Sequence, residues 1–63
     1  MQFECPWCHR QIRVEHHEWT YVHSVAILHF HACPSRPVNL TAETIEANAA
    51  RVADQILEEY GAP

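Results

Sequence analysis

The chain has 63 residues, 48% of them apolar, and carries a formal charge of −4 at pH 7 with no lysine. A chain this short folds as one domain and buries only about 60% of the surface it exposes when unfolded. That leaves no room for a large catalytic cleft, and a scaffold of this size usually needs a staple. The longest uninterrupted apolar run is Val25 to Leu28, far short of the roughly 20 residues of a membrane helix.

Charge is unevenly spread. Up to Pro37, Arg10, Arg13 and Arg36 balance Glu4, Glu15 and Glu18, and all six histidines lie in this half. Beyond Pro37, Arg51 faces Glu43, Glu46, Asp54, Glu58 and Glu59. A duplex-DNA binder neutralises phosphates with a basic surface, so this balance disfavours nucleic acid as a partner. No basic segment followed by an apolar one marks a secretory signal. The chain starts at Met1 with nothing resembling a tag, and it reads as a small cytoplasmic protein.

The first element is a turn, Cys5-Pro6-Trp7-Cys8. Two residues between cysteines let a tight turn aim both sulfurs at one ion, and proline fixes φ within it. A redox CxxC would sit in a βαβ context and open a helix. Here Gln11-Ile12-Arg13-Val14-Glu15 follows, an alternating run that reads as a strand. In a reducing compartment, clustered Cys and His favour metal. A structural zinc takes four ligands in a tetrahedron, and Cys33 is the remaining cysteine. The fourth ligand is a histidine.

The alternation over 11–15 predicts a hairpin. Its first strand is Gln11 to Glu15, its turn His16 to Glu18, and its second strand runs from Trp19 onward. In that register His23 lies past the knuckle, and residues 26–30 lie opposite Cys8 back to Cys5. Alternation places His29, His31 and Cys33 on one face. Were the segment helical, His29 and Cys33 would again meet one turn apart. The ligand set read from the sequence is therefore Cys5, Cys8, His29 and Cys33, with His31 and His23 as alternatives to His29. Each remaining histidine reads as a surface imidazole.

Cys5-Pro6-x-Cys8, a strand-turn-strand stretch, a histidine, and then Cys33-Pro34-Ser35-Arg36-Pro37-Val38 resemble the small CCHC zinc-finger proteins of actinobacteria and their phages. The resemblance spans about Cys5 to Val38. It implies a metal-binding finger whose histidine often lies about nine residues before the last cysteine, which is the place of His23. It implies no particular activity.

After the bracketing Pro34 and Pro37, Thr41 is a good N-cap. Leu40 and Ile45 suit a hydrophobic staple, and Glu43 suits the positive end of the helix dipole. Ile45, Ala49, Val52, Ala53, Ile56, Leu57 and Tyr60 share a helical face. Gly61 at C′ and Pro63 beyond it end the element, giving a helix of roughly 19 residues. The expected fold is α+β: a zinc-stapled knuckle and hairpin over 1–38, then one long amphipathic helix within 39–61, forming one domain.

Catalysis is not expected. The only H-x-E, His16-His17-Glu18, falls in the presumed turn away from the cysteines, whereas zinc deaminases place their glutamate two residues after a ligand histidine. The reading that fits best is a non-catalytic, zinc-bearing protein-interaction module or regulator, whose partner is another protein or a second copy of itself. The alternative is a nucleic-acid-binding finger. It would stack bases on Trp7, Trp19, Tyr21 and Phe30 beside Arg10, Arg13 and Arg36, a mode suited to single strands.

Overall fold

A computed structural model describes residues 1–61. It is an α+β fold: strands β1 (Gln2–Glu4) and β2 (Gln11–Arg13), helices α1 (Trp19–Ala32) and α2 (Ala42–Ile56), and a π-helical turn over Leu57–Gly61. The strands pair antiparallel with Gln2 opposite Arg13, Phe3 opposite Ile12 and Glu4 opposite Gln11. Residues 5–10 form the hairpin loop, closed by Cys5 N–H on the Arg10 carbonyl at 3.0 Å.

The hairpin therefore lies N-terminal to its expected place. The run from Gln11 is its second strand, shortened to Arg13, and the segment from Trp19 onward is a helix. Pairing with the 11–15 run predicts a strand from Trp19. However, 14 residues without Gly or Pro exceed the usual strand length, and the burial follows a helical period. Val22, Ala26 and Phe30 are fully buried at i, i+4 and i+8. Tertiary packing of that stripe overrides the β-branched and aromatic preference for strand. Helix α1 carries no Asp, Glu, Lys or Arg, and its N-cap residue Glu18 makes no side-chain cap bond. Its stability comes from the buried face.

Pro34 explains where α1 ends. A residue before proline is pushed out of the α region, and Cys33 sits at φ −65°, ψ 122°. The chain turns there, with Arg36 N–H on the Cys33 carbonyl at 3.3 Å.

Helix α2 starts as its sequence indicates. Thr41 Oγ1 accepts from Thr44 N–H at 3.2 Å, and Leu40 packs partly buried against the core that contains Ile45. Ile45, Ala49, Val52, Ala53 and Ile56 are buried, and this stripe lies against α1. Ala26, Ala49 and Ala53 have no exposed surface; their small side chains allow close approach of the two helices. Trp19 Nε1–H donates to Asp54 Oδ1 at 2.8 Å, tying the start of α1 to the end of α2. The last residues differ from a plain α-helix. Leu57–Gly61 widen into the π turn, Tyr60 is exposed, and Gly61 has no positive φ, so it is not a left-handed C′ residue. Pro63 lies outside the described residues.

Phe30 is the centre of the core. Its ring meets Phe3 edge-on at 6.1 Å and Trp7 edge-on at 5.1 Å, so one α1 side chain joins the hairpin and its loop to the helix pair. Phe30→Ala is expected to cost about 3–5 kcal/mol, most of the stability a core this size supplies. Leu28→Ala, on the solvent side of the same helix, should change stability by less than about 0.5 kcal/mol. Urea unfolding of both variants measures the difference.

Candidate metal centre

The hairpin loop and the end of α1 meet at one point. Cys5 and Cys8 come from the loop, His29 from the last turn of α1, and Cys33 from the residue that ends it. One donor atom from each lies within 4.8 Å of all the others. Cys5 Sγ and Cys33 Sγ are 3.7 Å apart, and Cys8 Sγ and His29 Nε2 are 3.5 Å apart. A tetrahedron with metal–sulfur bonds of about 2.3 Å and metal–nitrogen bonds of about 2.0–2.1 Å has S···S edges of about 3.8 Å and S···N edges of about 3.6 Å. The Cys5–Cys33 and Cys8–His29 separations match those edges. The three cysteines are free thiols rather than disulfides. The donor set and its spacing fit a single metal ion.

The loop geometry explains the reach of the two sulfurs. His9 N–H donates to the Cys5 carbonyl at 3.0 Å, and His9 takes φ 61°, the left-handed region that turns the chain back toward β2. A non-glycine residue there costs roughly 1–2 kcal/mol. His9 also points its ring away from the sulfurs, with Nδ1 2.9 Å from Glu4 Oε2. That exposed pair contributes about 1 kcal/mol at most.

Cys5 and Cys33 are buried, and Cys8 and His29 are half-buried. Burial raises the Cys5 thiol above its ordinary value, against the pull of the Cys8 and Trp7 backbone amides. Cys8 moves the other way, down to about 6. The main cause is a hydrogen bond from the Arg10 backbone; desolvation opposes it, while His29, Cys5 and Cys33 add to the lowering. Amides aimed at sulfur are what a metal-thiolate needs, since the ligand is the deprotonated form.

The structure brings together Cys5, Cys8, His29 and Cys33, and it leaves the other histidines elsewhere. His23 stacks on Trp19 at 4.7 Å, and His31 is exposed on α1. His16 sits edge-on to Tyr21 at 5.1 Å. His17 lies against the end of the π turn, its Cδ2 3.3 Å from where a Cβ on Gly61 would sit. The H-x-E residues are exposed and form no cluster with the cysteines. Among the proposed base-stacking aromatics, Phe30 is fully buried and Trp7 packs against the core, so Phe30 offers no face to a base. The part of the site that the sequence reading missed is the left-handed turn at His9. No glycine marks it.

No protein-family model, curated protein or solved structure matches the chain.

Two outcomes follow from this geometry. His9→Gly should leave stability unchanged within about 1 kcal/mol, because relief of the backbone offsets the lost Glu4 contact. His9→Val should destabilise relative to His9→Gly by about 1–2 kcal/mol or more; thermal unfolding of the pair checks this. Metal binding displaces ligand protons, so pH matters in a definite direction. The Cys8 value in the fold lies below the ordinary thiol value of 9.0. Its thiolate therefore favours the fold fully above about 9, and that contribution is lost as pH falls through about 6. Plotted against pH, the logarithm of cobalt(II) affinity should fall as pH drops below the ordinary thiol range, because each ligand thiol must give up its proton to bind, read from the thiolate-to-cobalt absorption band.

Proposed function

We propose that this protein binds one structural zinc ion through Cys5, Cys8, His29 and Cys33, and acts as a non-catalytic protein-interaction module or regulator. The observation that carries the reading is the Cys3His cluster, whose donors all lie within 4.8 Å of one another, with Cys5 and Cys33 3.7 Å apart and Cys8 and His29 3.5 Å apart. Three soft thiolates and one imidazole suit zinc over magnesium, calcium or manganese, which prefer oxygen. Four protein donors close the coordination shell, and a catalytic zinc keeps a position open for water.

The role of the ion is mechanical. Two three-residue strands do not form a stable hairpin alone, and zinc would join their loop to the end of α1. Folding and metal binding would then be one process. An interaction role accords with the small size, the exposed apolar side chains Leu28 and Val38, and the acidic second half. No helix among the described residues is long and apolar enough to cross a membrane.

Native mass spectrometry of protein purified without added metal tests the reading. One zinc per chain is expected. Cys5→Ser, Cys8→Ser, Cys33→Ser and His29→Ala should each lose the ion and the cooperative unfolding transition, whereas His23→Ala and His31→Ala should keep both. A wild-type chain that unfolds cooperatively in chelator and reductant, with no metal bound, would overturn the proposal. So would a His29→Ala variant that retains stoichiometric zinc.

A further inference from the structure

The hairpin leaves one edge of β1 without a partner strand. Val14 N–H donates to Met1 and Cys5 N–H donates to Arg10, and Phe3 lies opposite Ile12 between them. In an antiparallel pair, hydrogen-bonded positions alternate, so Met1, Phe3 and Cys5 turn their backbone groups toward β2. Gln2 and Glu4 turn theirs outward. Among the described residues, no hydrogen bond reaches the backbone N–H or C=O of Gln2 or Glu4.

An open groove of about 350 Å³ lies beside this strand, between the hairpin residues Gln2, Phe3, Glu4 and Gln11 and the end of α2 with its π turn. Phe3 and Ile56 lie at its base, both almost fully buried. Glu4 and Glu59 stand on its rim with the carboxamides of Gln2 and Gln55, and no Lys or Arg lines it. Glu59 belongs to the π turn, a rare geometry found frequently at functional sites. Glu4 is oriented by two neighbours: it lies 2.9 Å from His9 Nδ1 and accepts from Gln11 Nε2 at 3.4 Å. A carboxylate has about four acceptor positions, so it retains capacity for a ligand cation.

We propose that this groove binds an extended basic segment of a partner protein, which adds to the outer edge of β1 as a third strand. The inference deepens the interaction-module reading and rests on it. The main-chain groups of Gln2 and Glu4 supply strand-addition hydrogen bonds. The charged heads of Lys or Arg side chains reach the acidic rim. Charge decides the occupant. The chain carries −4 and the rim is acidic, so a second copy entering the groove would bring like charges together, whereas a basic segment is drawn in.

The test titrates the metal-loaded protein with an end-blocked peptide of alternating lysine and valine, followed through its backbone amide NMR signals. Saturable shifts at the Gln2 and Glu4 amides are expected, together with slowed hydrogen exchange there. Replacing lysine by glutamate in the peptide should abolish binding, and so should N-methylating alternate backbone amides. The double variant Glu4→Gln, Glu59→Gln should bind roughly fivefold more weakly, as for two exposed ion pairs, and added salt should weaken binding further. No shift at Gln2 and Glu4 at millimolar peptide would overturn the proposal. Equal binding of the glutamate peptide, or indifference to N-methylation, would do the same. Concentration-dependent protection of these amides in the free protein would assign the edge to a second copy instead. Native mass of the same sample reports its zinc separately: a zinc-loaded protein that ignores the peptide sinks this inference alone, and a folded zinc-free protein sinks the metal reading.

Discussion

The rest of the structure depends on the convergence of three sulfurs and one imidazole at the junction of the hairpin loop and the end of α1. Two strands of three residues cannot hold themselves together in water. Phe3, Val14 and the edge-on contacts of Trp7 and Phe3 with Phe30 give the hairpin some apolar anchorage. A metal ion at the convergence point would add a cross-link between residues 5–8 and residues 29–33.

The two helices divide the work. Helix α2 is a conventional amphipathic element, with a buried aliphatic stripe and its charge on the other side. Helix α1 has no formal charge and two separate duties. Val22, Ala26 and Phe30 build the core, while its final turn and the proline-enforced exit deliver His29 and Cys33 to the same point. The buried alanines let the helices approach closely, so the ends of α1 and α2 hold their positions relative to the hairpin.

This arrangement bears on recognition. A strand edge offers useful hydrogen bonds only if its backbone is held in place, because ordering it on binding costs free energy. The outward groups of Gln2 and Glu4 lie within four residues of Cys5. A metal-clamped loop would hold β1 rigid from its C-terminal end, linking the proposed zinc to the proposed docking edge. The acidic character of the second half then reaches the groove through Glu59.

Much of the site was legible in the residues. The CxxC turn and the single further cysteine point to three of the donors, and the spacing of His29 and Cys33 favours His29 over His31 and His23, because strand and helix alike bring 29 and 33 to one side. The C-terminal helix, its Thr41 cap and its buried stripe are local properties, carried by capping chemistry and a 3.6-residue period. The hairpin was not legible in the same way. Met1 to Glu4 is too short to announce a strand, and the alternation beyond Trp19 competes with an equally good helical period. Only packing chose between them, by burying Val22, Ala26 and Phe30 against the alanine-bearing face of α2. That choice made the cysteine turn the hairpin's own loop and left the far edge of β1 open. Those are long-range facts, set by which surfaces can be buried together, and no local run of residues contains them.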